Sequence, residues 1–141
     1  MKEEIFTFLA TCFNHNGSLT FDPKKKLKKI INESKVPASP GIYFISYQQT
    51  ILYIGKAGTV NQNGDFKTQK LKQRLSAKQD HMSRELYFRK GMLEKKIPSI
   101  DIYWFVTIDD DQKFLPAYIE LKAIQMFYEK FNCLPEWNKC V

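Results

Sequence analysis

A chain of 141 residues with 43% apolar and 26% charged side chains has the make-up of one soluble globular domain, and no apolar run nears the ~20 residues of a membrane span. The formal charge of +7 favours an anionic partner, most commonly a polyphosphate backbone for a small soluble protein. Cys12, Cys133 and Cys140 are odd in number and lack Cys-x-x-Cys spacing, which argues against a disulfide framework or a zinc site and reads as reduced thiols. The acidic start and interrupted apolar segment of Met1 to Leu9 do not fit a signal peptide, so the expected location is cytoplasmic.

Ile5, Phe6, Phe8, Leu9, Cys12 and Phe13 recur at helical spacing, predicting an amphipathic helix over 2–13 that Asn14 to Ser18 ends. His15 in that turn has no partner histidine and reads as a polar loop residue. Asp22-Pro23 predicts the N-cap and first-turn proline of a helix over 23–34, with Leu27, Ile30 and Ile31 on one face. Its other face carries Lys24, Lys25, Lys26, Lys28 and Lys29, either simply solvated or placed to contact a phosphate backbone.

Ile42 to Tyr47 and Thr50 to Ile54 are β-branched and aromatic runs separated by Gln48-Gln49, a gap that permits only an antiparallel hairpin. Period 2 puts Tyr43 with Ile45 on one face, Ile42 with Phe44 on the other, and Tyr53 on the face of Ile51. If the register puts both tyrosines on one face, two phenols sit side by side.

The glycine- and asparagine-rich stretch from Lys56 to Asp65 reads as a loop, and it is no phosphate-binding P-loop, because Asp65 follows Gly64. A helix is predicted over 68–79, with Lys70, Arg74 and Lys78 recurring every four residues along one strip. A second helical segment over 83–96 is weakened by Gly91. Ile100 to Ile108 alternates as a strand that pairs with the hairpin. Asp109-Asp110-Asp111 reads as an acidic turn rather than a metal site. The last helix is predicted over 115–131, with Leu121, Ile124, Phe127, Tyr128 and Phe131 facing the core and Glu120 near its start. Trp137 is expected to anchor the tail and so fix where Asn138 points.

Gly41-Ile42-Tyr43, followed by Tyr53-Ile54-Gly55, resembles the defining motif of the GIY-YIG nuclease family, and the resemblance covers roughly residues 40 to 138. It implies an α+β fold, a small three-stranded antiparallel sheet flanked by helices, formed by residues 40–141 with residues 1–39 as an N-terminal helical extension packed on the core. The family's helix arginine, glutamate and final asparagine have candidates in Arg74, Glu120 and Asn138.

Phosphodiester hydrolysis needs an activated water, charge neutralisation on the non-bridging oxygens and a stabilised leaving oxygen. The resemblance implies these roles: Tyr43 as general base, Tyr53 positioning water or phosphate, Arg74 neutralising the phosphate, and Asn138 holding either the phosphate or Tyr43. Glu120 would be the one protein ligand of Mg²⁺ or Mn²⁺. A tyrosine of ordinary pKa about 10 must be shifted toward neutrality for its role, and Lys56, Arg74 and the metal are the cations expected to do it. Lys56, Lys70, Arg74 and Lys78 are the expected nucleic-acid contacts.

The chain departs from the family's pattern in three places. The loop before the arginine helix is longer, leaving Arg84 as the alternative to Arg74. Lys78 stands where many members carry a histidine, with His81 as the substitute, and the long span from Glu120 to Asn138 leaves Glu129 as the fallback carboxylate. The expected activity is a metal-dependent DNA endonuclease, with little sequence preference or with a homodimer or protein partner supplying it. The alternatives are a non-catalytic DNA-binding module of the same fold and a nuclease acting on RNA.

Overall fold

A computed structural model describes residues 1–66, 70–76, 78–79 and 82–141, with the side chains of residues 78, 79 and 82 outside the description. The elements run α1 (Lys2–Cys12), β1 (Asn16–Phe21), α2 (Leu27–Glu33), β2 (Gly41–Tyr47), β3 (Thr50–Ala57), α3 (Leu71–Leu75), β4 (Lys78–Gln79), β5 (Met82–Ser83), α4 (Arg84–Lys95), β6 (Ile100–Val106) and α5 (Pro116–Phe131). The fold is α+β, built on a four-stranded antiparallel sheet of order β1-β6-β2-β3, with β4 and β5 as a separate two-stranded ribbon. No helix among the described residues is long and apolar enough to cross a membrane.

The sheet has four strands rather than the expected three, because residues 16–21 pair with β6, and the expected turn of Asn14 to Ser18 gives way to a strand from Asn16 on. Gly17 permits this pairing. A Cβ there would stand 2.4 Å from Cζ2 of Trp104, so only glycine lets β1 pass over the indole. The N-terminal segment therefore supplies the sheet's edge as well as two helices.

The two sheet faces carry different helices. Leu27, Ile30 and Ile31 of α2, Leu71 and Leu75 of α3, Phe88 and Met92 of α4, and Trp137 pack on the face of Tyr43 and Ile45. Ile5 and Leu9 of α1 and Ile119, Ala123, Ile124 and Phe127 of α5 pack on the face of Ile42 and Phe44. Both faces being covered explains why β2, the central partner of β3 and β6, is apolar nearly throughout.

Several boundaries shift for local reasons. Residues 23–26 form a turn, with Asp22 Oδ1 accepting from Lys24 N–H at 3.0 Å, and α2 starts at Leu27. Arg89 donates to the Pro23 and Lys25 carbonyls at 2.6 and 3.0 Å, engaging acceptors that a helix begun at residue 23 would use itself. The helix expected over 68–79 is α3, which ends at Leu75 where the Ser76 hydroxyl donates to the Lys72 carbonyl. Lys78 thus lies in β4 and does not continue the Lys70–Arg74 strip. Residues 68, 69 and 77 of that expectation, and His81, lie outside the described residues.

In α5 the buried stripe is Pro116, Ile119, Ala123, Ile124 and Phe127, whereas Leu121, Tyr128 and Phe131 are about half exposed. The helix meets the sheet along a narrow stripe, so the apolar residues to either side stay in solvent.

Candidate active site

Tyr43 sits in the middle of β2, paired with Gly55 on β3 and Trp104 on β6, and is wholly buried. Tyr53 opposes Ile45 and shares the face of Tyr43, because a β-bulge between Ile45 and Ser46 leaves Leu52 without a partner across the strands. That extra residue reverses the alternation. Tyr53 and Ile51 consequently lie on opposite faces, against the simple period-2 expectation. The two phenol rings stand 5.8 Å apart, tilted by 36°.

Gly55 fits between them, since a Cβ at this position would lie 2.5 Å from Cε1 of Tyr53 and 2.9 Å from the Tyr43 hydroxyl oxygen. Gly41 is equally constrained, with a Cβ falling 2.1 Å from the Phe105 carbonyl oxygen. The motif glycines thus serve close approach of backbone and ring.

Short as it is, α3 is fixed to the body by fully buried Leu71 and Leu75 and by bonds from the N–H groups of Leu71 and Lys72 to the Ser39 and Pro37 carbonyls, at 3.0 and 3.1 Å. This holds Arg74, half-buried with its Nε enclosed and without a partner. Lys70 is the partly exposed residue just before α3.

Lys56 pairs with Ile42, so it lies on the α5 face of the sheet, away from Tyr43. Its Nζ donates to the Thr59 hydroxyl at 3.3 Å. On that side Glu120 is half-buried and makes no hydrogen bond or ion pair among the described residues, and burial raises its pKa above the ordinary 4.5 against the opposing pull of Lys56 and Arg74. Arg74 also acts on Tyr43, which makes its charge common to both groups.

Two expectations about individual residues change. The cations near Tyr43 are Arg84 and Arg74, and Lys56 acts on Glu120 instead. Burial and the neighbouring Tyr53 nevertheless raise the Tyr43 pKa above its ordinary value of 10.0, outweighing both arginines. Asn138 is turned to the β3 backbone rather than to Tyr43, accepting from Ile54 N–H and donating to the Ile54 carbonyl, both at 2.9 Å. Trp137 fixes it there, stacking on Phe88 at 6.2 Å while its own N–H donates to the Leu52 carbonyl.

Arg84 is the group that sequence reasoning set aside. At the first position of α4 it is only 1% exposed, and its guanidinium lies 5.9 Å from the Tyr53 ring centroid. The signal for it was present in the chain: Arg84, Phe88 and Met92 are spaced by four, so the arginine heads the buried stripe of α4. Glu129, the fallback carboxylate, is exposed and accepts from Gln125 at 2.8 Å.

No protein-family model matches this chain, and comparison with curated proteins and with solved structures likewise yields no match.

Proposed function

We propose that the protein is a metal-dependent DNA endonuclease of the GIY-YIG type, hydrolysing phosphodiester bonds. The observation that carries this reading is the position of Arg74, whose charge acts both on the adjacent phenol pair of Tyr43 and Tyr53 and on the half-buried Glu120 carboxylate. A structural core gains nothing from such a set, whereas phosphodiester hydrolysis needs a base, a cation for the phosphate and an acidic ligand in one place.

In this reading Arg74 binds a non-bridging phosphate oxygen through its fork of donors, and Tyr53 orients water or phosphate. Tyr43 takes the proton of the attacking water, which requires the phenol's proton affinity to fall from its present raised level. Binding of substrate would leave the charges of Arg84 and Arg74 acting in a site from which more water is excluded, where they act more strongly.

Glu120 fits a divalent cation, Mg²⁺ or Mn²⁺, as a single oxygen ligand: it is half-buried, and burial raises its pKa despite the opposing charges of Lys56 and Arg74, so a cation at the carboxylate would relieve that cost. Among the described residues no group of three or more His, Cys, Asp or Glu side chains could hold a metal, so this would be a one-carboxylate site completed by water and phosphate oxygens. Bound there, the cation would supply Lewis-acid neutralisation of the phosphate.

The exposed lysines of α2 lie on the same side of the sheet as Tyr43 and, with Lys70, suit the backbone of a bound duplex, while Lys56 faces the Glu120 side. The enclosed, hard-to-ionise Tyr43 is the specific observation favouring the alternative, a DNA-binding module without catalysis.

Cleavage of supercoiled plasmid with Mg²⁺, with Mn²⁺ and with chelator, for wild type, Glu120→Ala and Tyr43→Phe, separates the two. Metal-dependent nicking lost in both variants is the expected result. Binding without cutting under every condition sinks the nuclease and leaves the binding module. The same comparison on an RNA of equal length decides between DNA and RNA as substrate.

A further inference from the structure

Arg84 is the only buried charged residue among those described, and both its Nε and its Nη1 are enclosed without a hydrogen-bond partner. Its position makes this more costly, because the first turn of α4 already carries the partial positive charge of a helix N-terminus, which disfavours a cation. The adjacent acid offers no relief: the Glu85 carboxylate accepts from Leu27 N–H and from Arg89.

Two further donors nearby are equally unmatched. The Tyr43 hydroxyl and Arg74 Nε are enclosed and without partners. They belong to the same cluster, since Arg84 lies over the Tyr53 ring, that ring lies beside Tyr43, and both guanidiniums act on the Tyr43 phenol. Enclosed N–H and O–H groups from α4, α3 and β2 thus gather, and among the described residues Arg84 Nε and Nη1 and Arg74 Nε have no hydrogen-bond partner. Buried polar groups are almost always paired, and a guanidinium can only donate, so the enclosed N–H groups of Arg84 and Arg74 call for an acceptor.

We propose that Arg84 is an anion ligand, forming with the Tyr43 hydroxyl and Arg74 Nε an inner pocket that takes a phosphoryl oxyanion. Two guanidiniums suit the charge of such a group, and donors reaching it from three separate elements suit a tetrahedral phosphoryl better than a planar carboxylate. Tyr53 and Arg74 are the part-exposed members of the set. Glu120, on the helix of the other face, feels the charge of Arg74 but does not bond its Nε, which stays open to a ligand. That the phosphoryl group belongs to a nucleic-acid backbone rests on the nuclease reading; that the pocket holds an oxyanion does not.

The test uses inorganic phosphate as probe, on the full chain in chelator, with sodium chloride at matched ionic strength as control. Thermal unfolding and the arginine Nε–H resonances are followed for wild type, Arg84→Met and Arg84→Lys. Phosphate should raise the wild-type Tm beyond the effect of chloride and shift the resonance that Arg84→Met removes. Arg84→Met should weaken phosphate about tenfold or more while its phosphate-free Tm holds or rises, because an uncompensated buried charge is gone.

Arg84→Lys keeps the charge without the fork and should fall between the two. If Arg84→Met does not fold, the wild-type titration and Arg84→Lys decide. Phosphate affinity unchanged by loss of the guanidinium, or a Tm that responds to phosphate and chloride alike, overturns the proposal. Cleavage plays no part in these readouts. A protein that binds phosphate through Arg84 but never cuts keeps this inference and loses the nuclease, while one that cuts with Arg84 irrelevant to phosphate does the reverse.

Discussion

Asn138 grips the peptide of Ile54 from both ends, its amide oxygen accepting the Ile54 N–H and its amide nitrogen donating to the Ile54 carbonyl, each at 2.9 Å. β3 is an edge strand, so no neighbouring strand offers these partners. Replacing Asn138 with Ala removes both bonds beside a side chain that is fully packed, and the expected cost is about 1–3 kcal/mol. Urea denaturation should show a lower midpoint with unchanged slope. Asn138→Asp should not rescue stability at neutral pH, because a carboxylate has no N–H for the Ile54 carbonyl. A midpoint equal to wild type in Asn138→Ala would show that the clamp contributes nothing.

Gly91 reverses the usual sign of a helix-interior glycine. Gly to Ala inside a helix ordinarily stabilises by about 1 kcal/mol through backbone entropy. Here the new Cβ would lie 2.6 Å from Cζ2 of Trp137, which is itself held against Phe88 and by the Leu52 carbonyl. Overpacking should win, so Gly91→Ala is expected to destabilise by about 1–2 kcal/mol net. Pairing it with Trp137→Leu should recover much of that loss, since the two residues share one space, and a double-mutant cycle measures the coupling.

Tyr43 and Tyr53 could be read as a pair from the sequence because a two-residue gap leaves the chain no choice but a hairpin. Which face Tyr53 takes could not, since the Leu52 bulge reverses the alternation and has no signature in Ile51 to Ile54. β1 was hidden for a different reason. Asn16-Gly17-Ser18 has turn composition, and the need for glycine under Trp104 becomes visible only once β6 lies beside it. The apolar residues of α5 were legible as helical, but the stripe that meets the sheet depends on where the helix docks. Arg84 stood only as the alternative to Arg74, although its spacing with Phe88 and Met92 placed it on the buried stripe of α4.

Gly55→Ala should act on the phenol pair itself. Its Cβ would stand 2.5 Å from Tyr53 Cε1 and 2.8 Å from Tyr43 Cζ, and neither ring can move freely, Tyr43 being fully enclosed. A loss of about 1–3 kcal/mol in stability is expected. Displacing the rings also changes their contact, so in the proposed nuclease cleavage should fall further than the folded fraction does. Parallel measurement of unfolding and of plasmid nicking at a temperature where the variant stays folded separates the two effects. Nicking that merely tracks the folded fraction would remove the ring pair from the chemistry.

Glu120 should make the protein more stable in acid than its surroundings alone would suggest. Burial raises its folded-state pKa above the ordinary 4.5, with Lys56 and Arg74 opposing but not cancelling the effect. Between the unfolded and folded values the native state therefore holds more proton than the unfolded chain, and stability contributed by this group falls as pH rises through that window. The penalty is complete above the folded value and absent below the unfolded one. Glu120→Gln keeps the shape and removes the charge, so it should stabilise the protein at pH 7 and leave it unchanged well below pH 4.5. Denaturation curves at both ends of that range test this. Adding Mg²⁺ should stabilise wild type and not Glu120→Gln if the carboxylate holds the cation, since ligand binding to the folded state alone raises its stability. A Glu120→Gln protein less stable than wild type at pH 7 would mean that the carboxylate has a partner in the folded state, and the reading of Glu120 as a waiting ligand would fall with it.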